Sequence, residues 1–204
     1  MHVSSYQHME RLVSKYLDPR LALKILDIGS YDVNGSYKPL LSEASWHYTG
    51  VDLSAGPNVD LVLASPYRLP LPDASVDLIV SGQAFEHIDY FWLTWIEMVR
   101  VLKPNGKIFL LAPSRGFEHR YPVDCWRFYP DGYRALATYG RIWLVEVSTD
   151  WEPHADAGSA AWGDTVGVFQ KPLHGWLGKI KEKLRAKAHS YLAPADAAAY
   201  RSPE

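Results

Sequence analysis

The 204-residue chain has a single cysteine, Cys125, which excludes an intramolecular disulfide and a four-cysteine zinc site. No apolar run approaches the roughly 18 residues that a membrane-spanning helix needs. The opening Met1-His2-Val3-Ser4-Ser5 lacks the apolar core of a secretory signal. A soluble protein of a reducing compartment, the cytoplasm, is therefore expected. Strong charge of one sign is also missing: 21 Lys and Arg against 23 Asp and Glu give a formal charge of −2. General nucleic-acid binding, which depends on neutralising phosphates, has no electrostatic drive here. Two phosphate-binding signatures are absent as well. There is no Gly-Lys-Ser/Thr loop, and Tyr31 stands where the dinucleotide fingerprint would place its second glycine.

What is present is an ordinary globular composition, 48% apolar and 22% charged, in about one domain's length. Aromatics are prominent, with eight Trp and thirteen Tyr. Such flat amphipathic side chains suit a core, and equally a polar ligand with apolar faces such as a sugar. Tyr6, Met9, Val13, Tyr16 and Leu17 recur at helical spacing over 4–17, with Ser4 or Ser5 as N-cap and Asp18-Pro19 as the stop. Apolar runs follow at 24–28, 47–51, 59–63, 76–81 and 107–112. Near-continuous runs separated by helix-length stretches predict parallel strands buried on both faces. The clearest crossover helix lies between 85 and 103, with Pro104-Asn105-Gly106 as its stop.

Segment 114–130 is aromatic, charged and Pro-rich without periodicity, which predicts a functional loop. A helix is expected at about 131–139, then two strands, 142–147 and 166–170, paired as a hairpin across the Gly/Ala-rich segment 149–164. The predicted fold is α/β and Rossmann-like: a seven-stranded, mostly parallel sheet with one antiparallel edge strand and helices on both faces. Residues 1–172 are expected to form this domain, and 173–204 a basic amphipathic helix with a loose tail. Leu173, Trp176, Leu177, Ile180 and Leu184 make an apolar stripe flanked by Lys179, Lys181, Lys183, Arg185 and Lys187. That helix could pack on the domain, on a second subunit or on an anionic membrane.

Ligands of open α/β sheets bind outside the carboxyl ends of the strands. The first strand ends in Asp27-Ile28-Gly29-Ser30, with Gly35 further on, and the second in Asp52-Leu53. An acid at the first strand end can accept bonds from a cationic amine, and Asp52 stands where a ribose diol would be held by paired bonds. Together they describe a nucleoside with a cationic amino-acid tail, S-adenosylmethionine.

Several runs in order carry a resemblance: Lys24 to Gly29, Val51-Asp52-Leu53-Ser54, Leu69 to Asp77, Glu86-His87-Ile88, and Glu97 to Lys107. Over about residues 24–113 the chain resembles the class I S-adenosylmethionine-dependent methyltransferases. The resemblance implies a cofactor site of Asp27, Gly29, Ser30, Gly35, Asp52, Leu53 and Gln83. Two departures are visible. The glycine-rich motif is reduced to Gly29, and Ser65-Pro66 replaces the usual adenine-reading pair, which leaves Tyr67 as the candidate reader.

An O-methyltransferase needs a general base or a metal for its weakly acidic hydroxyl. His119 is the candidate base, with Glu118 or Asp124 orienting it. His154 is an alternative base on the hairpin. Arg120, Tyr121, Trp126 and Arg127 are candidates for binding a sugar acceptor. A bland alternative pairs Arg127 with Asp124 and plugs the core with Trp126. Glu86 and His87 resemble part of the magnesium site of ubiquinone-pathway methyltransferases, with Gln83 replacing its first acid; capping of the next helix is the alternative. The run Glu118 to Phe128 is most similar to small bacterial carbohydrate O-methyltransferases. That similarity implies a polysaccharide precursor as acceptor (the 1-hydroxyl of a 3-O-methylated mannoside), a Mg2+ requirement and a homodimer. Two rivals stay open: a phenol, quinone or lipid-like acceptor, and a non-catalytic cofactor-binding scaffold subunit.

Overall fold

The computed structural model describes residues 2–173 and 176–192. A seven-stranded sheet is built from β1 (Leu23–Ile28), β2 (Trp46–Asp52), β3 (Leu61–Val62), β4 (Val76–Gly82), β5 (Leu102–Pro113), β6 (Trp143–Thr149) and β7 (Asp164–Gln170). Five helices accompany it: α1 (Val3–Tyr16), α2 (Phe91–Val101), α3 (Pro130–Gly140), α4 (Ala157–Ala160) and α5 (Trp176–Leu192). The strand order is β3-β2-β1-β4-β5-β7-β6. Strands β1 to β5 pair in parallel, while β7 runs antiparallel to β5 and to β6 at the edge. The fold is therefore Rossmann-like, with its antiparallel pairing confined to that edge.

The period-2 alternation of strand side chains divides the core in two. Leu26, Ile28, Ile79, Ile108, Leu110 and Phe169 face α2, α3 and the Ala186 side of α5. Ile25, Leu78, Val80, Phe109, Leu111 and Val168 face Met9 and Leu12 of α1. Near-continuous apolar strands are what two covered faces require.

Four local expectations are corrected. His2, not Ser4 or Ser5, is the N-cap of α1, and both serines are buried. Ser5 Oγ bonds the Tyr37 hydroxyl at 2.5 Å, so tertiary partners claim a side chain that capping would otherwise use. The helix before β5 stops at Val101 rather than at Pro104, because Leu102 already pairs with Val76. The register then jumps to Leu78–Lys107, so 103–106 forms an irregularity inside β5 instead of a helix cap. The first part of the crossover is a short 3-10 turn, Phe85–His87, not α-helix. In α5, Ile180 and Leu184 of the expected stripe are exposed, whereas Ala186 is buried and Arg185 donates to the carbonyls of Tyr139 and Gly140. Among the described residues no helix is long and apolar enough to cross a membrane.

Candidate active site

Strand order reverses between β1 and β4, and a cleft of about 670 Å³ opens there at the carboxyl ends of β1, β2 and β4. That size lies within the ~300–1,000 Å³ range of small-molecule sites. Asp27, Gly29, Ser30, Gly35, Asp52, Leu53 and Gln83 all line it. Gly29 turns the chain out of β1 with φ +79°, and a Cβ there would lie 2.5 Å from Ala84 Cβ. Only glycine meets both conditions. Asp27 is buried and accepts a 2.7 Å bond from the Tyr48 hydroxyl. Burial pushes its carboxyl up to about 7; the Tyr48 bond opposes the rise and the charge of Asp52 adds to it. Asp52 accepts from the amides of Tyr31 and Ser54, both at 3.2 Å, which orients the carboxylate at the rim. Ser30 is buried and donates to the Asn58 carbonyl. Gln83, at φ +60°, donates to Ser5 Oγ and to Asp164 Oδ1, linking the cleft wall to α1 and β7. Tyr67 does not line the cleft. Its ring is buried against Tyr90, and Pro66 and Leu63 take the wall instead.

The opposite wall comes from His87 and from the segment after β5, which contributes His119, Arg120, Tyr121 and Pro122. Below it lies a rigid frame. Arg127 binds both oxygens of Asp124 at 2.6 and 2.8 Å, and Asp124 also accepts from the His119 amide at 2.7 Å. The guanidinium beside Asp124 holds its carboxyl far below the usual carboxylate range. Trp126 donates its indole N–H to the carbonyls of Ile88 and Asp89 and packs edge-on to Phe91 and Trp92. Asp124, Trp126 and Arg127 therefore shape the loop from behind rather than lining the cleft, and Glu118 is exposed and paired with Arg120. His154 is away from the cleft wall, its Nδ1 accepting from the Asp156 amide.

Beside His87 lies Glu86, fully buried, with no other residue hydrogen-bonded to its carboxylate oxygens. Burial pushes its carboxyl up to about 8. His87 Nε2 is 3.6 Å from Glu86 Oε1, and the His87 and His119 rings meet edge-to-face at 4.8 Å. The 3-10 turn carries no side-chain cap from Glu86, and α2, whose N-cap is Tyr90, has no side-chain cap either, so helix capping is not the role of this pair.

Residues 26–110, which supply most of the cleft lining but not its 119–122 wall, match the methyltransferase domain family. They form a class I S-adenosylmethionine-dependent methyltransferase domain. The chain is 31% identical over 167 residues to an uncharacterized methyltransferase of Mycolicibacterium gilvum, covering 72% of this chain and 63% of that protein. A relative from Mycobacterium bovis, also an uncharacterized methyltransferase, is 32% identical over 145 residues, 63% of this chain and 54% of that one. The chain thus spans less than two thirds of these relatives' length. Among solved structures, the YcgJ protein of Bacillus subtilis shares the fold at TM-score 0.64 and 15% identity, over 85% of this chain and all of that one. A phosphoethanolamine N-methyltransferase of Haemonchus contortus, solved with phosphomonomethylethanolamine and S-adenosylhomocysteine, aligns at TM-score 0.62 and 14% identity, over 82% of this chain and 52% of that one.

The residues of the methyltransferase domain fit its cofactor: the carboxylates of Asp27 and Asp52 line a cleft large enough for a nucleoside, with Gly29 and Gly35 also in its lining. They do not fit magnesium. Mg2+ takes oxygen ligands and keeps much of its water, whereas the groups that converge beside the methyltransferase cleft are one carboxylate and two imidazoles. Sequence reasoning missed Tyr37, whose ring forms cleft wall beneath Gly82, and the convergence of Glu86 with His119. Gly82, where a Cβ would strike the Tyr37 ring, was the available signal for the first.

Proposed function

We propose that this chain transfers a methyl group from S-adenosylmethionine to a hydroxyl of a saccharide. When bound, the cofactor supplies a methyl carbon on a sulfonium, open to in-line attack. The observation that carries the reading is one continuous cleft with Asp27 and Asp52 at one end and His87, His119, Arg120 and Tyr121 at the other. Asp52 accepts paired bonds from a vicinal diol, and Asp27 faces the cationic amine. Arg120 and the exposed ring of Tyr121 offer a charged donor and a stacking face, the combination a pyranose uses. His119 takes the hydroxyl proton as the new bond forms, its backbone fixed by the hydrogen bond its amide donates to Asp124. Alignment of two bound partners in a confined site supplies much of the acceleration. Charged and hydrogen-bonding groups on the acceptor wall favour a polyol over a quinone or a lipid.

The test is product detection by mass spectrometry, with the full chain, S-adenosylmethionine and a panel of acceptors headed by 3-O-methylated mannosides with a free 1-hydroxyl. The expected result is one added methyl group on a saccharide and none on phenols or quinones. Turnover confined to apolar acceptors overturns the sugar assignment, and tight cofactor binding without turnover favours a scaffold. For His119→Ala, turnover on the best acceptor should fall by about a hundredfold or more while S-adenosylhomocysteine binding is retained. Unchanged turnover would remove His119 from proton transfer.

A further inference from the structure

We propose that the outward face of α5 docks this protein onto an anionic lipid bilayer, as an amphipathic helix lying in the plane of the surface. The helix packs on α2, and Arg185 ties it to the end of α3 by donating to the Tyr139 and Gly140 carbonyls at 2.8 and 2.9 Å. Among the described side chains of α5, only Ala186 is buried. On the side away from Ala186, Ile180, Leu184, Ala188 and Tyr191 recur at steps of four, four and three, which sets them in one stripe along the helix. All four are exposed, Leu184 by 62% and Tyr191 by 77%.

That stripe is turned the wrong way for a helix that serves only its own domain. Surface helices of globular proteins lay their apolar stripe on the core and hold their charges in water. In α5 the small Ala186 meets the core, while the larger apolar side chains face out. Lys181 lies on one flank of the stripe and Lys183 and Lys187 on the other, all three exposed. Leu192, in the last turn, is exposed as well. Apolar side chains between rows of lysine suit the boundary between headgroups and acyl chains: the stripe enters the apolar layer, and the long lysine stems reach back to the phosphates.

Charge selects the occupant. α5 carries five Lys and Arg against one Glu, a formal +4, which leaves −6 on the rest of the chain. An anionic bilayer attracts the helix and repels the body, so charge fixes the docking orientation as well as the partner. A second copy of the chain fits less well. A stripe of these four side chains falls short of the ~800 Å² per partner that a stable interface buries, and pairing two such faces would crowd their lysines together. No described residue of α5 lines the cleft, so docking leaves the cleft open, and the inference is independent of the proposed reaction.

The test is co-sedimentation of the full-length, tag-free chain with vesicles of phosphatidylcholine alone and of phosphatidylcholine with one-third phosphatidylglycerol. Binding to the anionic vesicles only is expected, and it should weaken at least tenfold between about 0.1 M and about 1 M salt. Replacing Lys181, Lys183 and Lys187 together by Gln, which keeps helix propensity, should lower the anionic partition at least tenfold. Leu184→Ser, at an exposed position, should lower it severalfold. An unchanged thermal midpoint in both variants verifies their folds. No binding to anionic vesicles, equal binding to neutral ones, or undiminished binding by either folded variant would each overturn the proposal. So would a dimer seen by light scattering that Leu184→Ser dissociates, since the stripe would then belong to a second copy.

Discussion

Asp27 is held inside the sheet by one hydroxyl, and its raised carboxyl links cofactor binding to pH. Below about 7 the group is protonated and presents no charge to an ammonium, so affinity for S-adenosylhomocysteine should drop by about tenfold from pH 8 to pH 6. Asp27→Asn should flatten that profile; a slope that survives the substitution would place the titrating group elsewhere. The groups facing Asp27 are Tyr48 and Asp52, and neither reverses the sign. For folding the same shift runs the other way. The protonated acid is favoured in the native state, and its contribution is fully present below the ordinary carboxylate value and lost as pH rises through about 7. Asp27 and Asp52 were legible in the sequence because each closes a local apolar run. The dispositions of Tyr67 and His154 were not, since which face a loop side chain turns to is decided by neighbours distant in sequence. The meeting of Glu86 with His119 depends on how the segment after β5 folds back over the turn after β4, which no local pattern encodes.

At the scale of elements, α1 is fastened to the sheet edge by polar contacts as well as by Met9 and Leu12. Glu146 of β6 accepts from Arg11, Lys15 and Tyr16 at 2.5–2.6 Å. Burial opposes ionisation of Glu146, yet these three bonds hold its carboxyl down to about 2. Its stabilisation is therefore complete above the ordinary value of 4.5 and is lost as pH falls toward 2. Glu146→Gln should cost about 1–2 kcal/mol in urea unfolding at pH 7 and reduce acid sensitivity between those values. An unchanged midpoint would show that the cluster contributes nothing net. At the other end of α1, Ser5→Ala leaves the buried Tyr37 hydroxyl without its partner and should cost about 1–3 kcal/mol by the same measurement. The helical periodicity of α1 was readable, but the burial of Ser4 and Ser5 was not, because serine at a helix start carries the same local signal whether it caps or packs. β5 misled in the opposite direction: Pro104-Asn105-Gly106 reads as a helix stop, and pairing of Leu102 with Val76 claims the chain earlier.

For the whole molecule, strand order does most of the functional work. Placing β2 and β4 on opposite sides of β1 opens the crevice, and the ends of those three strands deliver Asp27, Asp52 and Gln83 to it. Alternating apolar side chains then cover both faces, which is why runs of apolar residues in the sequence were enough to predict seven strands. The acceptor wall lay beyond such reading, being built from an irregular segment whose hidden frame is Asp124 and Arg127 rather than any periodic pattern. In the proposed function, two strand-end carboxylates grip a sulfonium nucleoside at this crevice. Calorimetric titration of the full chain with S-adenosylhomocysteine tests it most directly. One site per chain is expected, weakened by about 1–3 kcal/mol in Asp52→Ala. Absence of binding, or identical affinity in that variant, would contradict it.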